Sequence, residues 1–200
     1  MHIAIILPRW VGDLVMSTPM IRAVRQHFGN DAKLTAVVKP MFQELLAGTH
    51  WFDEFIAYDR HSKKQEFGFR QAASALRSAP PDIALLVPNS LSSAALAWWG
   101  GCRRRVGYAR HGRRFLLTDP LFPLRRGWKV EVMSTAHHSM DLAEQIGVAR
   151  QPLELELATL PDDEAMLDSL MSGFFEEWTQ SKNCPLFVFN DNAAYGPAKS

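Results

Sequence analysis

The first candidate for chemistry is the pair Gly12 and Asp13, which directly follows an apolar run near the N-terminus. A glycine permits a positive φ or the close approach of a ligand. A carboxylate beside it can act as a general base toward a hydroxyl group of that ligand. Spacing alone favours the simpler alternative that Asp13 caps the first helix, and both interpretations stay open.

A basic stretch at residues 101–130 is the second candidate. It carries nine cationic side chains against one acid, Asp119, and these are Arg103, Arg104, Arg105, Arg110, Arg113, Arg114, Arg125, Arg126 and Lys129. Arginine binds phosphates and carboxylates through paired hydrogen bonds. We expect a mostly loop-like anion site here. The alternatives are a solvated charged face and a surface that binds nucleic acid.

Two further segments carry small polar or basic groups after apolar runs. Asn89 and Ser90 follow one such run, and two more serines come directly after Leu91. They can bind a ligand or cap the next helix, and the two interpretations are about equally favoured. Residues 195–199 form a glycine loop with a lysine, which suits a phosphate, although a turn is the simpler interpretation.

Alternating strands and helices must position these segments. Strands are predicted at 2–8, 33–38, 55–58, 82–87 and 104–108, and helices at 40–47, 67–78, 90–99, 135–146 and 162–178, with the first helix starting at Asp13 or near Thr18. This alternation predicts βαβ units and a parallel sheet. Ligands bind beyond the carboxyl ends of such strands. The loops there are 9–13, 39–40, 59–64 and 88–93.

Composition excludes several classes of protein. Of 200 residues, 47% are hydrophobic and 22% are charged, which is ordinary for a globular protein and excludes wholesale disorder. The net charge of +1 indicates no partner. Cys102 and Cys184 cannot make a disulfide framework, and no apolar run reaches the roughly 18 residues of a membrane span. We therefore expect a soluble cytoplasmic protein, with Trp98 and Trp99 in its core.

The domain organisation follows from the same pattern. Residues 1–160 are predicted to form one α/β domain and residues 161–184 a helical linker. Residues 150–161, which are extended and bounded by prolines, are also expected to act as a linker. Residues 185–200, with a strand at 186–189, are predicted to begin a second α/β domain that the chain truncates. An apolar strand without a sheet invites pairing, so self-association through this C-terminal strand is expected.

Four segments, in order, resemble glycosyltransferase family 9, the ADP-heptose:lipopolysaccharide heptosyltransferases, particularly the heptosyltransferase II type. They are ILPRWVGDLVMSTP (6–19), LVPNSLSSAAL (86–96), RRVGYARHGRRFLLTD (104–119) and YGPAK (195–199). The resemblance implies a GT-B fold of two Rossmann-like domains. The first would bind the acceptor, which is the phosphorylated inner core of lipopolysaccharide on lipid A at the inner membrane surface. The second would bind the donor, ADP-heptose.

The resemblance also implies an inverting transfer of heptose that needs no metal and no cofactor. It implies no nucleic-acid partner. Its catalytic base would be Asp13. The residues implied to contact the acceptor are Gly12, Asn89, Ser90, Arg110, Arg113 and Arg114, and those implied to contact the donor phosphates are Gly196 and Lys199. The implied location is cytoplasmic, with peripheral association at the inner membrane.

Some residues depart from the family pattern. The family often has a lysine where this chain has Ser92, and the chain ends at Ser200 directly after the last motif. We therefore expect this chain alone to be inactive. Two alternatives stay open: a non-catalytic module that binds the acceptor or another anion, and a family member that uses another sugar nucleotide.

Overall fold

The structure, a computed structural model, describes residues 1–126, 129–130 and 133–180. The side chains of 125–126, 129–130 and 173–180 are not described. Contacts divide the chain into two compact units, Met1–Thr159 and Leu160–Ser200. The predicted strand at 186–189, Gly196 and Lys199 all lie outside the described residues, so their assignments stay predictions.

A six-stranded sheet forms the centre of the first unit. Its strands are β1 (His2–Ile6), β2 (Lys33–Val38), β3 (Glu54–Ala57), β4 (Ile83–Leu86), β5 (Arg104–Tyr108) and β6 (Asp119–Leu121). All pairs are parallel, and the order is β3-β2-β1-β4-β5-β6. The chain therefore reverses its direction of travel across the sheet between β1 and β4, as in doubly wound folds. A separate antiparallel ribbon joins β7 (Arg125–Arg126) to β8 (Lys129–Val130).

Helices follow most of the strands. They are α1 (Val11–Val15), α2 (Thr18–Phe28), α3 (Met41–Ala47), α4 (Phe69–Ser78), α5 (Leu91–Trp99) and α6 (Thr135–Glu144), and the second unit contains α7 (Pro161–Gln180). Short 3₁₀ helices occupy Gly29–Asp31, Gln65–Phe67 and Arg113–Leu116. Within the described part of the chain, no helix combines the length and apolar character that a membrane span requires.

Two apolar cores lie on opposite faces of the sheet, because side chains alternate along each strand. Ile3 and Ile5 pack in one core with residues of α2 and α6. Ala4 and Ile6 pack in the other with residues of α4 and α5. The two helix pairs therefore cover different faces, and the loops that lead into them meet at the carboxyl edge of the sheet.

The elements predicted within the described residues are present, with ends that differ by at most two residues. Three expectations were wrong. Two helices start at Val11 and Thr18 where one was predicted, and the basic stretch contains β6 and a 3₁₀ helix in addition to β5. Trp98 and Trp99 are 54% and 56% exposed rather than buried, because α5 turns its serine, alanine and leucine side toward the sheet.

The extended segment that precedes α7 packs onto the first unit, although it was predicted to be a linker. Arg22 donates hydrogen bonds to the carbonyl groups of Pro152 and Glu154, both at 3.2 Å. Gly48 lies against the same segment, where a Cβ atom would sit 2.3 Å from the carbonyl oxygen of Ala158. Only glycine leaves room for this contact.

Replacing Gly48 with alanine should therefore destabilise the first unit. Overpacking against a backbone carbonyl costs about 1–3 kcal/mol, which corresponds to a melting temperature lower by about 2–12 °C. Gly12→Ala is the matched control, because no atom of the described residues lies within 4 Å of a Cβ atom there. Thermal unfolding followed by circular dichroism tests this; equal melting temperatures for Gly48→Ala and the unchanged chain would show that the packed segment is not a constraint.

Candidate functional site

A cleft with a volume of about 190 Å³ opens at the carboxyl edge of the sheet. Its lining comprises residues 6–9, 37–39, 58–61, 88–90 and 92–93. Each of the four loops singled out from the sequence contributes to it. The cleft lies where β1 and β4 meet and the strand order reverses, which is the place where sheets of this kind bind ligands.

The charged side chains of the cleft are mainly cationic. Among the described residues, Arg9, Lys39 and Arg60 line it against one carboxylate, Asp59, and the imidazole of His61 lies beside them. Arg9 Nη1 and His61 Nε2 are 2.9 Å apart and connect the loops that follow β1 and β3. The Asp59 carboxylate accepts a hydrogen bond from the backbone N–H of His61 at 3.0 Å. Such a set of groups suits a phosphate or a carboxylate.

The N-terminus of α5 forms another wall of the cleft. Ser90 is its N-cap, and its Oγ accepts a hydrogen bond from the Ser93 N–H at 3.2 Å. The capping interpretation is therefore confirmed for Ser90, which also lines the cleft. The start of a helix carries unpaired N–H groups and a partial positive charge, so it favours anions. The helix thus adds to the positive potential of the side chains.

Arg113 occupies a different place from the one predicted. It was expected to contact the acceptor, but the structure buries it completely. Its guanidinium donates five hydrogen bonds, whose acceptors belong to Tyr108, Pro88, Asn89, Ser90 and Ser93. A side chain with no exposed surface cannot touch a ligand in this conformation. Arg113 instead fixes the loop between β4 and α5 from behind.

None of these acceptors is a carboxylate. They are backbone carbonyls, the Asn89 amide oxygen at 3.1 Å and the Ser93 hydroxyl at 3.0 Å. Burial lowers the pKa of Arg113 to about 10, which still leaves the group protonated at neutral pH. Within the described parts of the chain no counter-charge faces Arg113, and a buried charge of this kind is costly and raises the potential of its surroundings. Arg113 therefore makes the wall of the cleft more positive.

Asp13 is not among the described residues that line this cleft. It lies in the first turn of α1, whose N-cap is Trp10, so the interpretation of Asp13 as a cap is wrong. Its Oδ1 accepts a hydrogen bond of 3.0 Å from Thr135 Oγ1, at the start of α6. Gly12 has ordinary helical backbone, and no atom of the described residues occupies the space that a Cβ atom would take there. Asp13 thus flanks the end of β1 on the side that α6 covers.

A second cluster of polar side chains connects the end of β5 to α6. The Tyr108 hydroxyl donates to the Asp141 carboxylate, and the His138 ring stacks on Tyr108 with centroids 4.5 Å apart. Burial, and then the charge of Arg110, lower the pKa of His138. Arg110 comes two residues after the end of β5, so it is at the same edge of the sheet as Asp13. Thr135 was not predicted as a partner of Asp13. The sequence indicated only that a helix begins at Thr135.

Much of the basic stretch is committed to the fold. Arg104 pairs with Asp119 at 2.7 Å. Arg105 donates to backbone carbonyls, and the guanidinium of Arg114 lies 5.4 Å from the centre of the Phe122 ring. The side chains of the last three cationic residues are not described. The charge ratio of the stretch therefore overstated its capacity for a ligand, and three cations of the cleft come from other loops.

The chain is similar to curated heptosyltransferases along its whole length. It is 26% identical over 200 residues to lipopolysaccharide heptosyltransferase 2 of Escherichia coli K12, and 27% identical over 203 residues to lipooligosaccharide heptosyltransferase 2 of Haemophilus ducreyi. Each alignment covers 100% of this chain and 56% of the relative. The chain thus spans about half the length of these relatives. No protein-family model matches it.

Solved structures share the fold. The E. coli ADP-heptose lipopolysaccharide heptosyltransferase II matches 86% of this chain and 51% of its own, at 24% identity and a TM-score of 0.63. A family 9 glycosyl transferase from Veillonella parvula matches 87% of this chain and 49% of its own, at 18% identity and a TM-score of 0.72. The predicted Rossmann-like α/β fold and the resemblance to family 9 are confirmed.

Removing the Arg113 guanidinium should destabilise the protein far more than removing a neighbouring one. In Arg113→Met several buried oxygens lose their donor, and each costs about 1–3 kcal/mol. We expect the free energy of unfolding to fall by about 3 kcal/mol or more. Arg114→Met is the matched control, because among the described residues its guanidinium has one contact, the exposed cation–π contact with Phe122, which is worth about 0.5–1 kcal/mol. Urea unfolding measures both; equal losses would contradict a supporting role for Arg113.

Proposed function

We propose that this chain is the acceptor-binding half of an inverting glycosyltransferase, which transfers heptose from ADP-heptose to the phosphorylated inner core of lipopolysaccharide. The observation that carries the proposal is the cationic cleft at the carboxyl edge of the sheet, lined by Arg9, Lys39 and Arg60 beside the N-terminus of α5. The similarity to heptosyltransferases supports it.

In this proposal the cleft holds a phosphate group of the acceptor. Three cationic side chains and a helix N-terminus provide charge-assisted hydrogen bonds to its oxygens. Asn89 and Ser90 line the same cleft, so they are suited to the sugar hydroxyls next to the phosphate. Gly12, Arg110 and Arg114 stay proposed acceptor contacts, of which Arg110 lies at the same sheet edge.

Asp13 is the proposed general base. Its carboxylate takes the proton of an acceptor hydroxyl while that oxygen forms a bond to the anomeric carbon of the donor. The bond from this carbon to the diphosphate breaks on the opposite face, so the configuration inverts and ADP leaves. Thr135 donates to Oδ1 of Asp13 and so orients the carboxylate. Lys199, outside the described residues, is the proposed contact of the departing phosphates, with Gly196 beside it. No step of this mechanism requires a metal.

The acceptor would lie across the carboxyl end of β1. Arg9 lines the cleft on one side of this strand, and Asp13 follows four positions later beside α6. A phosphorylated oligosaccharide is large enough to occupy both places at once. Since the acceptor is anchored by lipid A, we propose that the protein works on the cytoplasmic side of the inner membrane as a peripheral protein.

Binding of a phosphorylated inner-core oligosaccharide tests the role of the cleft. We expect Arg9→Gln, Lys39→Gln and Arg60→Gln each to weaken binding about tenfold, which is about 1.4 kcal/mol. Lys63→Gln is the matched control, because Lys63 is exposed in the same loop as Arg60 but does not line the cleft. Isothermal titration calorimetry measures the affinities. If the dephosphorylated oligosaccharide binds equally well, the cleft does not recognise phosphate.

Transfer itself tests Asp13. Because the chain spans about half the length of its relatives, the assay uses a chimera with the donor half of the E. coli relative. We expect Asp13→Asn to lower kcat by about 10²–10⁴-fold, with the affinity for the acceptor unchanged. Asp31→Asn, at an exposed acid elsewhere, is the control. Full turnover in Asp13→Asn would exclude Asp13 as the base, and acceptor binding without any transfer would favour a non-catalytic module.

A further inference from the structure

A group of exposed aromatic rings lies on the helical face formed by α4 and α5. Trp98 and Trp99 at the end of α5 are more than half exposed. Their ring centres are 6.0 Å apart, and Trp99 lies 6.2 Å from Phe69 of α4, both in edge-to-face geometry. A Cβ atom at Gly100 would sit 2.7 Å from Leu76, so the end of α5 is held tightly against α4. The rings therefore belong to a well-packed surface.

The arginines of α4 border these rings. One shallow hollow is lined by Phe69, Arg70, Ala73, Ser74, Arg77 and Trp99. A second hollow is lined by Arg77, Trp98, Trp99 and Gly101. We call the surface made by Phe69, Arg70, Arg77, Trp98 and Trp99 the aromatic–basic patch.

The charge of the patch has one sign. α4 and α5 contain no acidic residue, and Asp82 is the only acid between Glu66 and Asp119. Asp82 is paired with Arg103 at 3.3 Å. Within the described part of the chain, Arg70 and Arg77 form no ion pair. Two cations therefore stand beside exposed indole rings without a compensating carboxylate.

We propose that the aromatic–basic patch docks on the surface of a bilayer that contains anionic phospholipids. Indole rings have an apolar body and a polar N–H, and they are enriched at the level of lipid headgroups. Arginine buries its apolar stem while its guanidinium binds phosphate. A surface that binds a protein partner usually has a rim of mixed polar groups. This patch instead carries only cationic charges, which match a membrane surface of negatively charged headgroups. This inference rests on the peripheral location in the proposed function and assigns it to one surface, which is separate from the cleft.

Co-sedimentation with lipid vesicles tests the proposal. The full chain should bind vesicles of mixed phosphatidylglycerol and phosphatidylcholine and bind pure phosphatidylcholine much more weakly. We expect the double variant Trp98→Ser, Trp99→Ser to reduce binding at least tenfold, and Arg70→Gln and Arg77→Gln to reduce it about fivefold each. Phe115→Ser and Lys63→Gln are the matched controls, because both residues are exposed outside the patch.

Two outcomes would overturn the proposal. One is binding to anionic vesicles that the patch variants leave unchanged, with circular dichroism showing that they are folded. The other is a dimer in lipid-free solution that the tryptophan variant abolishes, since the patch would then be a contact between copies of the chain. The soluble inner-core oligosaccharide should bind the patch variants normally, so docking is tested separately from the function of the cleft.

Discussion

The buried guanidinium of Arg113 is the constraint on which the candidate site depends. Its hydrogen bonds fix the carbonyls of Pro88 and Ser90 and the side chains of Asn89 and Ser93, so the loop after β4 and the start of α5 have one arrangement. Because none of its partners is charged, its positive charge is not neutralised locally. It adds to the cationic side chains of the cleft, and mutual repulsion among them is a cost that a bound anion would relieve.

The parallel sheet brings the two halves of the site to one edge. β1 is central in the strand order, and the chain leaves it through Arg9, at the cleft, and continues to Asp13, beside α6. The loops after β1, β2, β3 and β4 and the N-terminus of α5 form the cationic cleft, and α6 on the other face provides the Thr135 hydroxyl that donates to the Asp13 carboxylate. The proposed phosphate contacts and the proposed general base therefore lie on opposite sides of the end of β1. The N-terminus of α5 lines the cleft, and its other end forms the aromatic–basic patch together with α4.

The sequence predicted the elements well because buried parallel strands are short apolar runs and the helices between them keep their own periodicity. It also predicted the four loops of the cleft, since all follow strands. It could not predict β6, whose three residues pair only through the sheet. The burial of Arg113 could not be predicted, because a sequence shows that a residue is charged but not which groups surround it in the fold. Asp13 and Thr135 are 122 positions apart, so only the fold reveals their contact.

The structure of the protein bound to a phosphorylated inner-core oligosaccharide is the most direct test of this account. It should place a phosphate about 2.7–2.9 Å from a guanidinium or ammonium nitrogen of Arg9, Lys39 or Arg60, with Arg113 still holding the loop behind it. An acceptor hydroxyl should lie about 2.6–3.2 Å from the Asp13 carboxylate. An oligosaccharide bound away from the end of β1, with its phosphates remote from these cations, would contradict the account.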